Sequence, residues 1–401
     1  MYISSTRNAV DAVLDPDRLS ELVQAPVRAA RVRIKPGVSV TVSLLQAGRD
    51  RSAGWARLLW PASRDKAGKA ARRAERLGLR TTQYDTGDGL LFQAGEVAAD
   101  PSLAKHIALA RSEDLLAGLE GNLLRYNPLR RLVARTSRGV VRVTAGSQRR
   151  SEALQEFAGR YVPVPPAPPD PGGAVSGHIS LQRFVGDTDL SRHHDPAATA
   201  RAGAALAALH AATADLPAAL RRDLDDDDSD SQALALMHTR ILNHLDPALA
   251  ARVRRLGELL PGRTLRGPKV LAHGDASPDQ VLLERSTGEI WLTDFDRVRL
   301  APAALDLGSY LAVACAEAGN ALLEGYADAG GSLPSRTELL AAVARARLAR
   351  IQDPLRHGDP HWRRRIALEA DRIEALAAAY YAGKGAAADQ GPYRDCSQEA
   401  S

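Results

Sequence analysis

The stretch from Leu271 to Leu307, LAHGDASPDQVLLERSTGEIWLTDFDRVRLAPAALDL, restricts this chain more than any other. A strand-like entry, Lys269 to Ala272, opens into a polar loop carrying His273, Gly274, Asp275 and Gln280. Two apolar runs follow, Val281 to Leu283 and Ile290 to Leu292, separated by the turn Ser286-Thr287-Gly288-Glu289 and ending in Asp294-Phe295-Asp296. Short apolar runs around a Gly-containing turn predict a β-hairpin. Its two arms deliver polar groups to one place. Asp275 can accept a proton from an attacking hydroxyl, and Gln280 and Asp294 offer hard oxygen ligands for magnesium. Those are the parts of a phosphoryl-transfer site.

With 401 residues the chain has room for two or three lobes with cores of their own. Hydrophobic residues make up 45%, mostly Ala, Leu and Val, with only 4% aromatic, which favours helices packed through small residues over a β-sandwich. Two cysteines, Cys315 and Cys396, exclude a disulfide scaffold and a cysteine metal site. No signal-like apolar region opens the sequence, and no run reaches the roughly 18 apolar residues a membrane helix needs. The expected location is the cytoplasm, without membrane association. The net charge of +5 comes from arginines dispersed among acids and apolar residues, with no aromatic stacking pattern, so no nucleic-acid partner is expected.

Along the chain, Arg18 to Val27 predicts a short helix. In RVRIKPGVSVTVSLLQ the alternation of Val32, Ile34, Val38, Val40 and Val42 predicts a strand, with Trp55 to Trp60 as its hairpin partner. A basic helix (Asp65 to Leu77) and a second hairpin (Thr81 to Phe92) follow. A similar arrangement recurs about 90 residues later, where Arg125-x-x-Pro128 echoes Arg33-x-x-Pro36, a weak sign of partial duplication. Leu132 to Thr136 and Val140 to Thr144 form a tight hairpin around Ser137-Arg138-Gly139. The Pro-rich run from Pro163 to Gly173 predicts a stiff surface loop and leads into the strand His178 to Val185. Ala198 to Ala212 predicts a strong helix. Asp223 to Asp230 is acidic but lacks the glycine and spacing of a calcium loop, so a solvated loop is expected. Helices are expected at Ser231 to Leu260, Ala303 to Gly319, Glu338 to Gln352 and Trp362 to Tyr381, with a disordered tail from 383 to 401.

The ordered set of the Leu206 to His210 helix, His273-Gly274-Asp275, Gln280, Asp294-Phe295-Asp296 and Asp306-Leu307 resembles the aminoglycoside phosphotransferase and choline kinase group over roughly residues 120 to 380. The catalytic-loop amide, usually Asn, is Gln here, as in maltokinase-like relatives. The resemblance implies an α+β, protein-kinase-like bilobal fold: a small β-rich N-lobe at 119–185 and a helical C-lobe at 186–382. An accessory, cap-like α+β domain at 1–118 precedes them. It implies ATP and Mg2+ as cofactors, Asp275 as catalytic base, and Gln280 and Asp294 as metal ligands. Arg142 falls at the phosphate-binding Lys position with Glu152 as its ion-pair partner; the alternative is an exposed strand residue. Gln182, Phe184 and Val185 would form the hinge that meets adenine. His273 and Asp306 would support the loop, and His210 is structural. Asp296 stays open between the metal shell and a hold on Arg297.

The function so implied is transfer of the ATP γ-phosphate to a hydroxyl of a small molecule: aminoglycoside, amino sugar, sugar or amino alcohol. A nucleotide-binding pseudokinase is the alternative, suggested by Gln280 and Arg142. A protein kinase is disfavoured, because no Gly-rich loop precedes Arg142.

Overall fold

The computed structural model describes residues 4–116, 122–168, 177–224, 230–261, 265 and 267–385. Helix α1 (Thr6–Leu14) starts at Ser5, whose hydroxyl accepts the Asn8 N–H, and α2 (Pro16–Val23) starts at Asp15 with proline in its first turn. Then come β1 (Val27–Lys35), β2 (Ser39–Gln46), β3 (Ser52–Leu59), α3 (Asp65–Arg76), β4 (Thr81–Asp85), β5 (Leu91–Gly95) and α4 (Ala104–Ser112). The strands form an antiparallel sheet in the order β1-β2-β3-β5-β4. The single strand expected over Val32 to Val42 is instead a hairpin: Pro36 and Gly37 (φ +65°) turn the chain back, and Lys35 pairs with Ser39. The Trp55 to Trp60 run enters as β3, paired along β2.

A second antiparallel sheet holds β6 (Leu123–Asn127), β7 (Arg131–Thr136), β8 (Gly139–Thr144) and β9 (Ile179–Gln182) in sequence order, with α5 (Arg149–Ala158) between the last two. The helical part carries β10 (Thr188–Asp189), α6 (Pro196–Ala211), α7 (Ala218–Arg222), α8 (Ser231–Leu242) and α9 (Pro247–Leu259). Next are β11 (Lys269–Ala272), β12 (Val281–Leu283), β13 (Ile290–Leu292) and β14 (Arg299–Pro302). The chain closes with α10 (Ala304–Leu311), α11 (Ala316–Asp328), α12 (Arg336–Arg350), α13 (Asp353–Arg356) and α14 (Trp362–Gly385). The hairpin of the opening stretch is β12–β13, extended by β10, while β11 pairs with β14. The buried helix expected over Ala303 to Gly319 is two helices, interrupted between Leu311 and Ala316. The tail beyond residue 385, the acidic residues 225–229 and the end of the Pro-rich run (169–173) lie outside the described residues.

The result is the α+β bilobal arrangement, but not the separate cores. Val10, Leu19, Val42 and Trp60 of the N-terminal part lie in one continuous cluster with Leu242, Val253, Leu348, Trp362 and Ile366 of the helical part. On its other side Trp55, Leu103 and Ile107 join Leu132, Val141 and Ile179 of the second sheet. A third cluster fills the helical lobe around α6, the hairpin and α10. Burying one such side chain is worth about 1.5–3 kcal/mol. Close backbone contact between α6 and α11 needs glycine: a Cβ on Gly203 would lie 2.1 Å from the Leu322 carbonyl oxygen, and one on Gly325 2.0 Å from that of Ala200. Among the described residues no helix is long and apolar enough to cross a membrane.

Candidate active site

Gly274 anchors the loop between β11 and β12. Its φ of +81° is a glycine conformation, and a Cβ there would lie 2.0 Å from the carbonyl oxygen of Arg297. Asp306, fully buried near the start of α10, accepts the N–H of His273 at 2.6 Å and of Gly274 at 2.8 Å. Its Oδ2 also meets His210 Nε2 at 3.0 Å, and His210 Nδ1 meets the Tyr326 hydroxyl at 2.9 Å. Burial alone would raise the Asp306 carboxyl. The hydrogen bond and charge of His210, the charge of His273 and the Gly274 N–H outweigh it and hold the group below its ordinary value. His273 Nε2 lies 2.8 Å from the Thr293 carbonyl oxygen, tying the loop to the end of β13.

On this loop the Asp275 carboxylate accepts a hydrogen bond from Arg350 Nη2 at 3.0 Å and lies 3.5 Å from Arg297 Nη1. Arg350, the last residue of α12, is fixed by the Ser309 carbonyl at 2.7 Å and hydroxyl at 3.0 Å. Across from it, Asp294 takes a left-handed conformation (φ +64°, ψ +55°), costly for a residue with a Cβ and typical of a functional position. Arg131 Nη1 lies 3.0 Å from both Asp294 oxygens, and Arg142 Nη1 3.7 Å from one. Burial pushes the Asp294 carboxyl up, but the Arg131 and Arg142 charges prevail and hold it below its ordinary value.

Arg142 departs from expectation. Its guanidinium hydrogen-bonds Asp296, not Glu152, because the end of the hairpin brings Asp296 within reach of β8. Glu152 feels Arg142 and Arg149 only through space, and burial keeps its carboxyl above the usual value. Nor is Arg142 an exposed strand residue: it is half-buried, and its Nε has no hydrogen-bond partner among the described residues. Asp296 therefore holds Arg142, with Arg131 3.5 Å away.

Gln280 turns inward. It lines a cavity of about 10 Å3 with His273 and Tyr310, donates from Nε2 to Asp279 at 2.9 Å, and has Oε1 3.5 Å from the Thr293 hydroxyl. Among the described residues no group of three or more His, Cys, Asp or Glu gathers as a metal cage. Magnesium needs only one or two carboxylates when phosphates and waters complete its shell. Asp294, already faced by two cationic side chains, meets that requirement, with Gln280 and the exposed Asp279 beside it.

At the expected hinge, Gln182 bonds Gln155 at 2.9 Å, and the Arg183 N–H is taken by the Pro166 carbonyl at 2.9 Å. The Phe184 and Val185 amides have no backbone partner among the described residues. The Phe184 ring lies under the Arg135 guanidinium, 3.8 Å from it. A cavity of about 690 Å3 opens there, lined by Phe184, Arg183, Pro168 and the β7–β8 turn, with neither Asp275 nor Asp294 in its lining.

Sequence reasoning missed Arg131, Arg350 and the brace on the β6–β7 turn. In that turn Leu129 is left-handed (φ +64°) and donates its N–H at 2.8 Å to Asp100, just ahead of α4. Asp100 also accepts the Tyr126 hydroxyl at 2.7 Å and the N–H groups of Ser102 and Leu103 at 2.8 and 3.0 Å. The Arg125-x-x-Pro128 echo was the one signal marking this turn.

The lobes, the braced loop and the opposed carboxylates define a phosphotransferase of the kinase-like class. The chain belongs to the phosphotransferase enzyme family, whose model matches residues 120–348. No curated protein matches it. Among solved structures it is similar to a choline/ethanolamine kinase family protein from Mesorhizobium loti, at 20% identity over 70% of this chain and 99% of that one (TM-score 0.48). The gentamicin complex of APH(2")-IIa is similar at 14% identity over 68% and 97% (TM-score 0.48). An ethanolamine kinase of Plasmodium vivax is similar at 12% over 67% and 86% (TM-score 0.46).

Proposed function

We propose that this protein transfers the γ-phosphoryl group of ATP to a hydroxyl of a small molecule. The observation that carries the reading is a pair of carboxylates on the two arms of one hairpin motif, each facing its own arginine: Asp275 with Arg350, Asp294 with Arg131. Asp275 orients the acceptor hydroxyl and takes its proton as the new oxygen–phosphorus bond forms and the bond to the ADP oxygen breaks. Arg131 and Arg142 move from Asp294 and Asp296 onto phosphate oxygens when nucleotide enters. The free amides of Phe184 and Val185 suit an adenine edge. Asp294, with Gln280 or Asp279, would hold Mg2+, which would supply positive charge to offset that of the phosphates in the loose transition state. Positioning and electrostatics supply most of the barrier reduction.

Two observations favour a second reading, a nucleotide-binding pseudokinase: Gln280 is turned onto Asp279, and Arg142 is held by Asp296. ADP release measured across a broad panel of hydroxyl acceptors with magnesium-ATP separates the two. Transfer above background supports the phosphotransferase; tight nucleotide binding with no transfer to any acceptor would overturn it.

A further inference from the structure

β1 and β6 are edge strands of their two sheets, and each carries one extra residue. In β1 Ala29 pairs with Leu44 and Arg31 with Ser43, leaving Ala30 over; in β6 Leu123 pairs with Ala134 and Arg125 with Val133, leaving Leu124 over. A bulge of this kind re-aims the side chain that follows it and is common beside active sites. In both strands that side chain is an arginine. α13 closes the third side: it follows Arg350, which holds Asp275, and packs on β1. Gly358, just beyond it, lies so near β1 that a Cβ there would stand 2.9 Å from the Ala29 carbonyl oxygen.

Arg31 and Arg125 are half-buried, and among the described residues neither guanidinium has a hydrogen-bond or ion-pair partner. Each lies among further positive charge. Burial and then the Arg125 charge depress Arg31, against the pull of Asp353 and Asp279. Burial and then Arg131 depress Arg125, against Asp294, Asp279 and Asp275. Half-desolvated cations held together without a partner are unfavourable until an anion joins them. Arg131 and Arg142 are already engaged, on Asp294 and Asp296; the acids that act on Arg31 are Asp353 of α13 and Asp279, and Arg125 also feels Asp275.

We propose that Arg31 and Arg125 recognise an anionic acceptor, a hydroxyl compound that also carries a carboxylate or phosphate group, which the two forks bind while its hydroxyl reaches Asp275. This rests on the phosphotransfer reading of the Asp275 site. The planar guanidinium suits bidentate binding of either anion.

The test is calorimetric titration of the full chain, nucleotide-free and saturated with magnesium AMP-PNP. The probes are D-gluconate, 3-phospho-D-glycerate and inorganic phosphate, with glucose, glycerol and choline as neutral and cationic counterparts. The expected result is binding of the anions alone, weakened at least tenfold by Arg31→Gln and Arg125→Gln and less by Arg31→Lys. AMP-PNP affinity should stay within twofold in Arg31→Gln. Absence of anion binding, equal binding of choline or glucose, an Arg31→Gln variant with unchanged anion affinity, or displacement of the anion by AMP-PNP would each overturn the proposal. A protein that binds no nucleotide would sink the phosphotransfer reading instead, and the nucleotide-free titration would still decide this one.

Discussion

Asp100 and Leu129 are joined by a 2.8 Å hydrogen bond that runs from the N-terminal part of the chain to the β6–β7 turn beside Arg131. A left-handed leucine is held there by a buried carboxylate, where a glycine would need no such support. Asp100→Ala leaves several buried donors without an acceptor and should cost about 1–3 kcal/mol for each one left unpaired. The turn should loosen, raising KM for magnesium-ATP about tenfold. A normal KM with a lowered melting temperature would show that the bond serves stability alone.

Asp275→Asn should bind ATP much as the parent protein does and lose transfer by at least about a hundredfold, the scale of a positioned proton acceptor. Single-turnover kinetics decide this. Near-native turnover would remove Asp275 from the base role.

For Asp294→Ala the expected defect is in affinity. Calorimetry with and without magnesium should show that the metal no longer strengthens nucleotide binding; an unchanged magnesium effect would count against Asp294 as ligand.

Arg350 acts on Asp275 from α12, and Ser309 fixes its direction. Arg350→Ala should lower kcat about ten- to a hundredfold, as small misplacements of a reacting group do, with little change in nucleotide KM. Arg350→Lys should restore part of it. Equal kcat in Ala and Lys variants would argue against a positioning role.

Acid should destabilise the fold in a defined window. Burial lowers His238 to about 4 from an ordinary 6.5, so the folded state prefers it neutral. The associated stability is complete above pH 6.5 and is lost as pH falls toward 4, on the order of 3 kcal/mol for His238. Denaturant midpoints measured from pH 7 to 4 should fall in the parent and less steeply in His238→Gln. Parallel profiles would contradict the assignment.

The hairpin was legible because its chemistry is local: Asp275, Gln280 and Asp294 lie within one short stretch, and Asp306 follows soon after. Arg131 and Arg350 were not, since they meet their carboxylates across sequence separations of 163 and 75 residues in a chain with arginine throughout. The Arg142–Glu152 pair failed for a related reason. Ten residues of separation made Glu152 the nearby candidate in sequence, whereas a distant turn put Asp296 closer in space. The shared cores escaped notice because an apolar face announces burial without saying what covers it.

That sharing bears on how the protein can be divided. The family match ends at residue 348 and begins at 120, yet apolar faces on both sides of those borders belong to clusters completed by Val10, Trp60, Trp362 and Ile366. The recognisable segment therefore shares its apolar core with residues outside it. Excised, it would present raw hydrophobic surface at both ends and aggregate; kept whole, all parts should melt in a single cooperative step. The N-terminal sheet packs on both the second sheet and the helical part, so the keystone of this architecture lies outside its signature.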